Sequence, residues 1–175
     1  MTKSKTQKFI SYFAMILLAV FARLIPHSPN FTPIGGLAIF SGLQFKSKLS
    51  VLIPLLAMVI SDMFLGIHKT IPYVYISFII IFFLGRSIKN EITFKKIVII
   101  SLVSSILFFL ITNLGVFITG SMYQKSFSGL IQCYFMGIPF FRNTAISDIF
   151  YSLTFFYGYK YLPLIIPKKL FRSKL

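Results

Sequence analysis

The sequence predicts an all-α, polytopic membrane protein: six transmembrane helices with a short outer interfacial helix, in a single domain over residues 1–175. Three observations predict it. First, 57% of the 175 residues are hydrophobic and the mean hydropathy is +0.86. A soluble domain of this size has too much surface for its volume to hide so much apolar side chain. Second, the apolar residues come in long runs. A run of about 20 residues crosses a hydrocarbon core of about 30 Å when helical. Third, Lys and Arg number 18 against three acidic residues, and they sit in short clusters between the runs. That is how cytoplasmic loops look, and it excludes nucleic acid as a partner, which demands a basic stripe on a soluble fold.

The basic Met1–Lys8 precedes the first run, Phe9–Ile25. The run is too long for a signal peptide core and lacks a small-residue cleavage site before Arg23, so it reads as a retained helix. Pro33–Phe45 is shorter. Leu49–Ile67 carries Pro54 and Asp62. Ile71–Ile88 ends at the polar "RSIKNEITFKK". Ile97–Thr119 holds Thr112, Asn113 and Gly115 near its far end. Phe127–Phe141, interrupted by Gly137 and Pro139, reads as the outer interfacial helix. Asn143–Leu162 is the last span, before the basic tail "PKKLFRSKL".

Charge sets the orientation. With six crossings every cation except Arg23, Lys69, Lys125 and Arg142 falls on the side of the two termini. The positive-inside rule then puts both termini in the cytoplasm and the chain in the inner (plasma) membrane. Five crossings, with Pro33–Phe45 as a stub, or seven, with Phe127–Phe141 as a span, would move the basic tail outside.

A charge at membrane depth costs about 2.5–3.5 kcal/mol on insertion scales. Yet Arg23, Asp62, Arg142 and Asp148 lie within or at the outer ends of spans, and His27, Asn30, His68, Asn113 and Asn143 join them in the outer half. Polar groups from several helices at one depth are what an outward-facing pocket needs. Helix-to-helix ion pairing is the other reading: Asp62 sits near the negative end of its helix and wants a cation, either Arg23 or Arg142. Pro26, Pro29 and Pro33 stiffen the first outer turn, Asn30 and Thr32 are candidate caps for the helix after it, and Gly35, Gly36, Ala38 and Gly42 let that helix approach a neighbour closely. His27 and His68 lack the spacing of a metal site, and Cys133, the only cysteine, reads as a small buried hydrophobe. No metal and no cofactor is expected. No nucleophile–base pair, phosphate loop or carboxylate dyad is present, so the expectation is not an enzyme.

The stretches "RLIPHSPNFTPIGGLAIFSG", "ISDMFLGIH", "TNLGVF" and "GLIQCYFMGIPFFRNTAISDIFY", from Arg23 to about Tyr151, resemble an uncharacterised family of small bacterial membrane proteins. That family in turn is similar to the substrate-binding S components of energy-coupling-factor transporters. The resemblance implies six helices, cytoplasmic termini, a vitamin-sized outer pocket, and partnership with an energy-coupling transmembrane subunit and its ATPases. S components often carry two alanines four apart on the first helix for docking. Ala14, Ala19 and Ala22 lack that spacing, so docking here would use other small residues. The expectation is a substrate-capture subunit for a small nutrient, with Arg23, His27, Asn30, Asp62, His68, Asn113, Arg142 and Asn143 lining or bracing the pocket. A ligand-free structural protein and a proton-linked carrier using Asp62 or Asp148 are the alternatives.

Overall fold

The computed structural model describes residues 5–45, 47–88 and 91–165. Among them the chain is all helical, with no strand. Six helices follow in order: α1 (Lys5–Leu24), α2 (Ile34–Gln44), α3 (Leu52–Leu65), α4 (Ile71–Ser87), α5 (Phe94–Thr119) and α6 (Phe127–Ile165), with a 3-10 turn (Lys48–Val51) leading into α3. The basic positions Lys3, Lys46, Lys89, Lys168, Lys169, Arg172 and Lys174 lie outside the described residues.

Two helical stretches are long and apolar enough to cross a membrane, Lys48–Leu65 and Phe94–Thr119. Both turn much of that apolar surface outward: Leu52, Leu56, Met63, Ile99, Val103 and Ile106 are all exposed. In water such a surface would be an unusually large apolar patch.

Local chemistry sets several boundaries. The Thr93 hydroxyl accepts from Lys96 N at 3.4 Å and the Ser126 hydroxyl from Gly129 N at 3.2 Å, each satisfying a donor that a helix start leaves unpaired. Gly66 ends α3 at φ 94°, a left-handed value that a side chain would resist. Lys125 folds back onto the C-terminus of α5, donating to the carbonyls of Phe117, Ile118 and Gly120. A cation there meets the negative end of the helix dipole.

The structure corrects one element. Phe127–Phe141 is not a separate interfacial helix; it runs without a break into the stretch expected as the last span, forming the 39-residue α6. Pro139 removes one helical hydrogen bond, but the helix continues through it, packed against α5. Tyr134 OH donates to Leu110 O at 2.8 Å, Cys133 Sγ lies 3.4 Å from Asn113 O, and Gly137 sits flush against Asn113 and Phe109. Further along, the same pair of helices meets through serines. Ser101 Oγ reaches Ser152 Oγ at 3.1 Å and Asp148 O at 3.3 Å.

Helix α2 is the centre of the bundle. Its 11 residues rise only about 16 Å, and Ile34 through Gly42 are all buried, packed against α3, α4, α5 and α6. Small residues allow it. A Cβ on Gly36 would stand 2.7 Å from Ser152 N, and a Cβ on Gly85 of α4 would stand 2.8 Å from Ile39 O. Gly35 faces Asp148, which Ser105 contacts near the middle of α5. Helix α2 therefore starts halfway along the bundle. One half is dry: Phe40 meets Phe45, Phe156 and Tyr159 edge to face at centroid distances of 5.6, 5.1 and 5.5 Å. The other half, above the start of α2, holds the polar groups.

Candidate functional site

The connection from α1 to α2 shapes this half. Ser28 O accepts from Phe31 N at 3.0 Å, closing a turn with Pro29 second and Asn30 third. Asn30 takes φ 62°, so the turn has the type II pattern: proline fixes the first central residue and asparagine tolerates the left-handed second. Neither Asn30 nor Thr32 caps α2, contrary to the sequence expectation; the N-cap is Pro33, with no side-chain cap bond. The turn is tied to α6 instead. Asn143 Nδ2 donates to Pro29 O at 2.9 Å and Ser147 Oγ to Asn30 O at 3.4 Å.

Asp62 of α3 finds its cation on α1. Arg23 Nη2 lies 2.7 Å from Asp62 Oδ1, with both side chains largely buried. That contact is charge against charge, without the alignment of a hydrogen bond. Tyr75 OH of α4 donates to the other oxygen, Oδ2, at 2.9 Å. Arg23 Nη1 donates to Ser61 Oγ, and Ser61 passes its own proton back to the α3 backbone at Ala57 O, 2.7 Å away. The assembly locks three helices together and spends the charges of Arg23 and Asp62 on each other.

Asp148 is handled differently. It is 2% exposed, and no cation lies within ion-pair distance of it among the described residues. Ser105 Oγ donates to its Oδ2 at 2.7 Å. The carboxyl rests against Gly35 in the first turn of α2, at the positive end of that helix. Any side chain at position 35 would occupy the same space.

A cavity of about 120 Å³ lies between these two groups. Arg23, Asn30, Thr32 and Gly35 line it from α1, the turn and α2; Met58, His68, Val74 and Phe78 from α3, the following turn and α4; Phe108, Thr144 and Asp148 from α5 and α6. It runs from the exposed Asn30 and His68 to the buried Gly35, Met58 and Asp148. Its volume is well below the roughly 300–1,000 Å³ of drug-sized ligand pockets.

The eight residues singled out from the sequence thus separate. Arg23, Asn30 and His68 line the cavity, and Asp62 fixes Arg23 beside it. Arg142 and Asn143 border a different, more open depression of about 390 Å³ with Ile138 and Pro139. His27 is exposed and closes the end of α1, its Nε2 3.1 Å from Arg23 O and its Nδ1 2.9 Å from Ser28 O. Asn113 bonds its own helix at Phe109 O, 2.8 Å away, and packs on Gly137. Arg142 does not pair with Asp62; it stands exposed on α6. The contributors absent from that set are Asp148, Gly35, Thr32, Thr144 and Ser105. A carboxylate in an apolar run and a double glycine after a proline-rich turn were the available signals; that the two would meet was not.

No group of three or more His, Cys, Asp or Glu side chains able to hold a metal occurs among the described residues. The fold and site define a protein, all helical among the described residues, with apolar outer surfaces and a small cavity lined by polar and apolar groups from all six helices. The chain belongs to the family of unknown function DUF6580, whose family model matches residues 3–169. No curated protein and no solved structure matches it.

Proposed function

We propose that this chain is a membrane-embedded, S-component-like substrate-capture subunit for uptake of a small solute. The observation that carries the reading is the cavity: polar groups from several elements converge on one space that leads from exposed to buried side chains. In a bilayer, ionisable groups are placed at such cost chiefly where they line a path or a site. The volume suits a solute smaller than a vitamin. In this reading all six helices lie in the plasma membrane, α2 reaches only half its depth, both termini face the cytoplasm, and the cavity opens outward. An energy-coupling transmembrane subunit with ATPases would supply the transport step.

Mass spectrometry of small molecules retained through gentle detergent purification tests this directly. A stoichiometric solute, released by Asp148→Asn or Thr144→Val, is the expected result; an empty protein that binds nothing in a metabolite screen refutes it. Co-purification with an ATPase complex tests the coupling, and reporter fusions after residues 87 and 122 test the orientation. One second reading, a proton-linked carrier, is favoured by Asp148, a buried carboxyl with hydroxyl rather than cationic neighbours. Uptake that collapses with the proton gradient but needs no ATPase selects it.

A further inference from the structure

We propose that the solute taken by this cavity is a small monovalent organic cation, a primary ammonium of no more than about five non-hydrogen atoms; the inference rests on the capture reading above. The charge arrangement argues for it. Among the described residues lining the cavity, Arg23 is the one Lys or Arg, and it already faces Asp62 at 2.7 Å. That pair is neutral as a unit, so Arg23 has little charge left for an anionic ligand. The Asp148 carboxyl sits at the buried end with only a hydroxyl as side-chain partner. A carboxyl removed from water ionises only with a positive partner beside it. The cavity side is where one can enter.

The remaining lining fits the same ligand. An ammonium has three N–H donors and no acceptor. Thr32, Asn30 and Thr144 offer oxygens along the same cavity; Thr144 donates its own proton to Phe140 O at 3.0 Å, leaving its lone pairs free. Met58, Val74, Phe78 and Phe108 supply an apolar wall for a short carbon stem. A dry cavity of about 150 Å³ accepts benzene, so about 120 Å³ admits a slightly smaller molecule. A divalent metal is disfavoured by one carboxylate among neutral oxygens.

The test is calorimetric titration of the full chain in lipid nanodiscs with ethylammonium chloride, and separately with ethanol, sodium acetate and potassium chloride. Saturable ethylammonium binding is expected, uncompeted by the other three, weakened at least tenfold by Asp148→Asn and unchanged by Gly158→Ala. If Asp148→Asn does not fold, Thr144→Val serves: a several-fold weakening is expected, and unaltered affinity overturns the proposal. Binding of acetate or ethanol instead leaves the capture reading standing and removes this one. Potassium binding as tightly as ethylammonium also removes it, and so does an Asp148→Asn variant with full affinity. Absence of ethylammonium binding removes this proposal, and the capture reading falls with it only if the metabolite screen also finds no bound solute.

Discussion

Replacing Gly35 by alanine adds one carbon where the Asp148 carboxyl already lies. That Cβ would overlap Asp148 Oδ1 and stand 2.7 Å from Cγ. The carboxyl can yield only by giving up its contact with Ser105, which holds Oδ2 at 2.7 Å. Overpacking of this kind costs about 1–3 kcal/mol. If the carboxyl yields, a buried group loses its hydrogen bond, which costs about another 1–3 kcal/mol. The better helix propensity of alanine offsets at most about 1 kcal/mol. A net loss of roughly 1–6 kcal/mol follows if the carboxyl yields, and up to about 3 kcal/mol if it does not. At about 2–4 °C per kcal/mol for a chain of this size, the melting temperature of the purified protein should fall by several degrees. Gly158 in α6 supplies the control, since a Cβ there meets nothing within 4 Å; Gly158→Ala should leave Tm unchanged or raise it. Asp148→Ala vacates the contested space, so Gly35→Ala should cost less in that background, a coupling readable from a double-mutant cycle. Equal Tm values for Gly35→Ala and Gly158→Ala would refute the reasoning, as would strict additivity with Asp148→Ala.

Arg23→Ala and Asp62→Ala each strand a largely buried charge and should each lower stability by about 3–5 kcal/mol, whereas the double replacement Arg23→Met with Asp62→Leu should cost less than either in thermal unfolding. Tyr75→Phe removes the donor to Asp62 Oδ2 and should cost about 1–3 kcal/mol by the same assay, with ring packing retained. Lys125→Met should speed amide hydrogen exchange at the end of α5 and leave the centre of that helix unaffected, because the lysine touches only the last carbonyls.

Long apolar runs made the all-helical class readable in the sequence, and the glycines of "IGGLAIFSG" marked α2 as a helix that others approach closely. The need of Asp62 for a cation was also legible from its place near a helix end, with Arg23 one of two candidates. The choice between them was not, since it depends on which helices become neighbours. The same limit explains Asn113, Arg142 and His27. Each looked costly at its depth, but Asn113 satisfies itself on its own backbone, His27 folds onto the end of its helix, and Arg142 points outward. Gly137 and Pro139 read as a break because local propensity disfavours a helix there. Phe109, Asn113 and Leu110 of α5 outweigh that preference, and they are remote in sequence. The meeting of Gly35 with Asp148, more than 100 residues apart, left no local trace.

The seam of serines between α5 and α6 has a practical consequence. Adhesion through Ser101, Ser105 and Ser152 owes little to the expulsion of water from grease, and hydroxyl contacts of this sort gain strength as their surroundings dry. Lipid discs should keep the two long helices clasped. Small, wet micelles offer the hydroxyls a competitor, so there the seam should be the first part of the bundle to loosen.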